Sequence, residues 1–291
     1  MKGGLKTVRE LNRKEVFEAV RRALAEDIGR GDITTAAVFP KPETVRAEII
    51  AKEPGVIAGI SVSMAAFKLL NPKIKFMPLI QDGKTFGANA VISFVEGDVR
   101  SILSAERSAL NFLSRLSGIA TLTSQFVNKI RPYKTKIMDT RKTTPGLRLL
   151  EKYAVTAGGG YNHRLGLHDQ VLIKDNHLKA VDYDWAVLCH TIRKYKKRCV
   201  KTEVEISNLK ELKEAIKLTP DIIMLDNMGI KEIKAAVKLL RSLRSDIKLE
   251  VSGGVSLNNV RKIAATGVDM ISVGAITHSA KPIDFSLEII K

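Results

Sequence analysis

Cations crowd the stretch TKIMDTRKTTPGLRLLEKYAVTAGGGYNHRLGLHDQVLIKDNH, residues 135–177. They are Arg141, Lys142, Arg148, Lys152, Arg164 and Lys174, joined by His163, His168 and His177. They do not repeat along one helical face. Arg141 and Lys142 directly follow KIMD, which reads as a short buried strand; Arg164 follows a glycine turn; Lys174 ends the apolar run QVLI. In parallel α/β architectures, groups just past the carboxyl ends of strands line the ligand crevice. Cations converging there make an anion site. Arg148 and Lys152, four apart on a helix, read instead as ordinary surface cations.

Carboxylates and glycine turns complete the set. In TEVEI, period two puts Glu203 and Glu205 on one strand face, with Val204 and Ile206 on the other. Two buried carboxylates on one face need cations, a metal or hydroxyl donors. Glu205, nearer the carboxyl end, is the better candidate for a ligand, and Glu203 is expected to pair with a lysine or arginine lower in the sheet. Asp226 and Asn227 follow IIML at another strand end, where Asp226 could also cap the next helix. VSGGV after IKLEV and VGAIT after MIS are glycine turns whose exposed N–H groups, ahead of helix N-termini, suit a phosphate. The loops after the last two strands are the usual phosphate site of α/β barrels. Asp27 and Asp32 read as turn and cap residues. His163 and His168 lack zinc-site spacing, and no Walker-type loop or G-x-S-x-G is present.

The elements that must position these groups fall into two regimes. Residues 12–26 read as an amphipathic helix with Asn12 as its cap. The strand-like runs VRAEIIAKE, GVIAG, KIKFMPLI and VISFVEGDVR come next. Strands preceding any βα alternation indicate a separate α+β domain, an open sheet, over residues 1–116. Residues 101–129 form one long or broken helix, apolar on more than one stripe, with Arg107 in it; by composition Arg107 is a surface or interface ion-pair residue. Thr144 is expected to cap a helix with Pro145 at its first position, ending at Gly158. From residue 136 on, strand, loop and helix alternate. This rhythm predicts parallel strands with helices outside over 117–278, with too few units for a complete barrel. The last residues, 279–291, are expected to return to the first domain. The fold class is therefore α/β: an open-sheet α+β domain followed by an incomplete parallel α/β barrel.

Composition bounds the possibilities. The 291 residues suffice for a sizeable core, and 48 Lys+Arg against 31 Asp+Glu give a net charge of +17. Such charge fits nucleic acid, a membrane surface or small polyanions, but aromatics at 5% argue against a base-stacking strand binder. No apolar run reaches membrane-span length, MKGGLKTVRE lacks a signal-peptide core, and Cys189 and Cys199 have no CxxC spacing. A cytoplasmic protein with free thiols, binding neither nucleic acid nor membrane, is expected. Two other classes fit parts of the pattern. A Schiff-base aldolase-type barrel would use Lys174 or Lys142, and an RNA-binding protein would rest on the +17 charge alone.

DTRKTTPGLR, GGGYNHRLGL and LIKDNH, with EDIGRGDITT near the start and VGAITHSA near the end, resemble the quinolinate phosphoribosyltransferase family over nearly the whole chain. The resemblance implies a magnesium-dependent transfer from phosphoribosyl diphosphate (PRPP) to quinolinate with decarboxylation, in NAD biosynthesis, or a paralogue acting on another base. It assigns Lys142 to the pyrophosphate side. Arg107, Arg141, His163, Arg164 and Lys174 fall to the two carboxylates, with Thr140 also in contact with substrate. It places Glu205 against the ribose, and Glu205 with Asp226 near Mg2+, directly or through PRPP. Ser252, Gly253, Gly254 and Gly274 take the sugar 5′-phosphate. It also implies a homo-oligomer, a dimer or a hexamer built of dimers, in which Arg107 reaches the other subunit's site.

Overall fold

The computed structural model of the chain describes residue 8, residues 10–243 and residues 246–290. The opening stretch MKGGLKTVRE lies mostly outside them. The elements run α1 (Arg13–Ile28), α2 (Ile33–Val38), β1 (Thr44–Ala51), β2 (Gly55–Val56), α3 (Ile60–Leu70), β3 (Lys75–Pro78), β4 (Thr85–Phe86), β5 (Val91–Asp98) and α4 (Val99–Lys129). Then come β6 (Lys136–Met138), α5 (Arg148–Ala157), β7 (Val171–Ile173), α6 (Asp175–Ala180), α7 (Trp185–Lys197), β8 (Thr202–Ile206), α8 (Leu209–Lys217) and β9 (Ile222–Asp226). The chain closes with α9 (Ile230–Ser242), β10 (Lys248–Ser252), α10 (Val260–Ala264), β11 (Met270–Ser272), α11 (Ala275–His278) and β12 (Phe285–Ile290). Two compact units divide this chain. Of the described residues, a sheet unit takes those up to Ser124, Thr143–Gly159 and those from Ile276 on; a barrel unit takes Gln125–Lys142 and Gly160–Ala275.

The sheet unit is built on the antiparallel order β12-β1-β5-β3. Alternation along β1 turns Ala47, Ile49 and Ala51 inward, as period two requires. The final strand does pair with β1, from Arg46↔Ile290 to Ala51↔Phe285. Asp32 caps α2 and accepts from the hydroxyls of Thr35 and Ser104. Those bonds, Thr35's first, hold its carboxyl below the ordinary carboxylate range. Its role is the cap read from the sequence. Helix α3 was not anticipated among the strand-like runs. Its first amides, of Gly59 and Ile60, donate to the carboxylate of Asp82, a cap drawn from a later turn that no local pattern announces.

Two expectations about the segment 143–159 fail. Helix α5 begins at Arg148, not after Thr144, because Gly146 takes φ +79° and breaks the helical run. The Thr144 hydroxyl and amide instead both donate to the carboxylate of Glu151. Lys152 is not a surface cation: its relative exposure is 0%, as is that of Glu151, which receives Arg115 at 2.9 Å. Arg148 is half-buried and its Nε donates to the Thr143 hydroxyl.

The barrel unit carries a six-stranded parallel sheet ordered β6-β11-β10-β9-β8-β7. Strands β6 and β7 end the order and do not pair with each other, so the barrel is incomplete, as its few repeats predict. All five residues of β8 and four of the five of β9, Ile222–Leu225, are buried, the pattern of strands covered on both faces. Short loops after each strand carry the groups considered next.

Candidate active site

Five strand ends of the barrel unit present polar groups on one side. After β6, Asp139 is fully buried and organises the neighbouring loop: its Oδ1 accepts the amide of His163 at 2.8 Å, and its Oδ2 accepts Asn162 Nδ2 at 2.7 Å. Thr140 accepts the amide of Lys142, shaping the turn that carries Arg141 and Lys142. Arg164, only 7% exposed, is steadied by a bond from its Nη1 to the carbonyl of Gln170. Burial lowers its pKa, and the charge of Arg141 lowers it further, while Glu203 and Glu205 work the other way. Arg141 and Arg164 therefore share one field, and an incoming anion relieves their repulsion.

At the end of β7, Lys174 Nζ lies 2.5 Å from Glu205 Oε2 at the end of β8. Lys174 remains 44% exposed at its side chain while Glu205 is 8% exposed, so the pair sits at a rim. Next along the sheet, the Asp226 carboxylate accepts Asn227 Nδ2, and the amide of Asn227 donates to the carbonyl of Ser252. Gly253 follows with φ +87°, and a Cβ there would run into the Asn227 side chain, so only glycine fits. Asp226 does not cap α9; Glu232 does so by accepting the amide of Gly229. The loop Val255–Asn259 separates Gly254 from α10, so this glycine turn does not open straight onto a helix N-terminus. Asn259 holds the loop by donating to the carbonyl of Gly254 and accepting the amide of Ser256. Gly274 directly precedes α11, which is a single turn.

Glu203 departs from its expected partner. It is 0% exposed, and its Oε2 accepts Gln170 Nε2 at 2.5 Å and lies 3.1 Å from His163 Nε2. Its close contacts are a neutral amide and an imidazole, while the charge of Arg164 acts on it from farther off. Glu250, on β10, joins the same group: its Oε1 lies 3.5 Å from His163 Nε2 and accepts the Ser272 hydroxyl at 2.5 Å. Sequence reading passed over Glu250, although an acidic residue inside the apolar strand KLEVS is the same signal that drew attention to TEVEI. Among the described residues, His163, Glu203 and Glu250 are the one trio of possible metal-ligating groups, their ligand atoms within 4.8 Å of one another. Glu205 and Asp226 are not members of it.

Arg107 is exposed on α4 in the sheet unit. At the opposite ends of the barrel strands lies a cavity of about 1080 Å3, lined by Lys136, Lys248, Ile222 and Met270 at their strand starts. It holds none of the convergent groups described above.

Two family models match the chain in succession. Residues 32–117 match the family described as Quinolinate phosphoribosyl transferase, N-terminal domain, and residues 119–288 that described as its C-terminal domain. A "Probable nicotinate-nucleotide pyrophosphorylase [carboxylating]" of Synechocystis sp. is 46% identical over 268 residues, 92% of this chain and 90% of the relative. The "Nicotinate-nucleotide pyrophosphorylase [carboxylating]" of Mycobacterium leprae is 40% identical over 94% of this chain and 96% of the relative. The solved nicotinate-nucleotide pyrophosphorylase of Francisella tularensis superposes with a TM-score of 0.90 at 42% identity, covering 99% of this chain and 100% of that one. With both family domains matched in order and similarity running the length of the chain, this protein belongs to the quinolinate phosphoribosyltransferase family.

Proposed function

We propose that the chain transfers the phosphoribosyl group of PRPP to the ring nitrogen of quinolinate and releases carbon dioxide, giving nicotinate mononucleotide and pyrophosphate. One observation carries this reading: buried Arg164 shares its field with a second cation, Arg141, and with the strand-end carboxylates Glu203 and Glu205. Arg141 and Arg164, with Lys174, hold the two quinolinate carboxylates, arginine forks matching carboxylate geometry in paired hydrogen bonds. Lys142, exposed on its turn, meets the pyrophosphate side. Ser252, Gly253, Gly254 and Gly274 receive the 5′-phosphate through their N–H groups.

In the reaction, the pyridine nitrogen forms a bond to the anomeric carbon as the bond to pyrophosphate breaks. Positive charge builds on the ribose, and Glu205 and Asp226 stabilise it through its hydroxyls and by their own charge. The bond from C2 to its carboxyl group then breaks, the electron pair stays on the ring beside the cationic nitrogen, and a proton replaces the carbon dioxide. Glu205 and Asp226 offer hard oxygen donors at adjacent strand ends, a set that fits Mg2+. The ion, bound with PRPP, would neutralise the departing pyrophosphate. We place the enzyme in the cytoplasm as a homo-oligomer with shared sites. No helix among the described residues is long and apolar enough to cross a membrane.

The test is carbon dioxide release from carboxyl-labelled quinolinate with PRPP. Nicotinate, lacking one carboxylate, is expected to react at least about 10-fold less efficiently, since a charge-assisted hydrogen bond is worth ~1.5–3 kcal/mol. Equal use of both bases, or no release from quinolinate, would reject the reading.

A further inference from the structure

The cavity of about 1080 Å3 at the starts of the barrel strands lies wholly within the barrel unit and takes no part in the function proposed above. Strand register builds it. Lys248 pairs with Ile222 and Ile222 with Glu203, while Lys136 pairs with Met270 and Met270 with Glu250. Paired neighbours share a sheet face, so both lysines lie on the face that carries Glu203 and Glu250, at the strand starts. KIM and KLEVS thus each open on a lysine where the interior of a closed barrel would be filled by apolar side chains.

The floor is apolar. Ile222 and Met270 are buried and cluster with Met138, and Tyr161 packs against the three. Half-buried Lys136 holds its ammonium 4.6 Å from the centre of the Tyr161 ring and meets no carboxylate among the described residues. That cation is partly desolvated by the ring and is not neutralised. Farther round the lining, Lys196 lies 3.8 Å from Asp221. Lys248 lies 3.3 Å from Asp269, whose charge is already shared with Arg241 at 2.8 Å. The lining carries five lysines against three aspartates, which leaves the potential in the cavity positive.

We propose that this cavity is a second ligand site, one that takes a nucleoside monophosphate with its ring on the apolar floor and its phosphate among the lysines. An ammonium acts on phosphate as a point charge, so several lysines can share one dianion without a fixed fork geometry. The Met270 thioether suits contact with an aromatic ring. A bare inorganic anion would leave the floor wet, and an uncharged nucleoside would leave Lys136 without a counter-charge, so both halves of the ligand are needed. The volume is at the upper end of the ~300–1,000 Å3 usual for small-molecule pockets. The site stands apart from the chemistry at the opposite strand ends and does not depend on it.

Two free thiols report on the cavity. Exposed Cys199 lines it, whereas Cys189 sits on α7 outside the lining. Alkylation by iodoacetamide, followed peptide by peptide in a mass spectrometer, reads each separately. AMP at about 5 mM should slow modification of Cys199 by about 5-fold or more, the factor for a Kd of about 1 mM or tighter, and leave Cys189 unchanged. Adenosine or inorganic phosphate at the same concentration should slow it by less than about 2-fold. Lys136→Gln combined with Lys248→Gln should abolish the protection by AMP, with melting curves checking that the variant is folded. The proposal is overturned if AMP leaves Cys199 unprotected, if it protects Cys189 equally, or if adenosine or phosphate alone protects as well as AMP. Protection of the folded double variant equal to that of wild type would overturn it too. The wild-type arms decide by themselves if the double variant does not fold.

Discussion

Glu203 and Glu205 lie two residues apart on one face of β8 and keep different company. Glu205 sits at the rim against Lys174, where ribose charge would develop; Glu203 is sealed among Gln170, His163 and Glu250. Glu205→Gln should therefore lower kcat by at least about tenfold, or ~1.4 kcal/mol of barrier, with little change in thermal stability. Steady-state rates and melting curves on the same preparation check this; a stability loss without a kcat loss would place Glu205 in the scaffold. Glu250 makes a pH prediction of opposite sign to the usual carboxylate. Its pKa of about 8 in the folded protein stands above the ordinary 4.5. The folded state then keeps a proton that the unfolded chain has lost. Its contribution to stability is full below about pH 4.5, declines as pH rises towards about 8, and is level beyond. Glu250→Gln removes that decline, so between about pH 5 and about pH 8 wild type should lose more stability in urea unfolding than the variant does. Parallel stability curves would show that Glu250 is not held protonated.

At the scale of elements, small residues decide how closely helices approach. Gly158, at the end of α5, leaves no room for a Cβ against the Ala120 carbonyl and the Thr123 side chain of α4. Glu151 and Lys152, nearer the start of the same helix, are fully buried. Gly158→Ala should cost ~1–3 kcal/mol through overpacking, read as a lower urea midpoint at unchanged slope; a shift below about 0.5 kcal/mol would mean that α4 and α5 separate freely. The same elements show what a sequence can disclose. Strand ends after KIM, VLI, TEVEI and IIML were legible because continuous apolar runs and period-two faces are local properties. The partner of Glu203 was not, since Gln170 and His163 reach it from separate loops whose course depends on Asp139 binding the His163 amide. The start of α5 was misread because Thr144 and Pro145 make a good helix opening in isolation, whereas Glu151 draws Thr144 into a turn and Gly146 supplies the positive φ. Lys152 was misread because four-residue spacing to Arg148 says nothing about what covers the helix.

At the scale of the whole molecule, the proposed sharing of sites between subunits rests on Arg107, exposed on a helix that buries Leu110, Leu113 and Leu116. Arg107→Ala and Lys174→Ala homodimers should each be nearly inactive. Random re-pairing makes about half the dimers mixed, each with one doubly defective and one intact site, so activity should return to roughly a quarter of wild type. Initial rates after co-expression, with pairing verified by two affinity tags, measure it. Verified mixed dimers as inactive as their parents would confine Arg107 to its own chain.

The pairing of β12 with β1 has a consequence for how the protein is made. Strand β1 precedes the barrel in the chain, and one of its two sheet neighbours, β12, follows it. Throughout synthesis of the barrel, the nascent chain carries β1 with that edge open, a template for mispairing with other chains. The unit translated first is thus closed only after the barrel has been made.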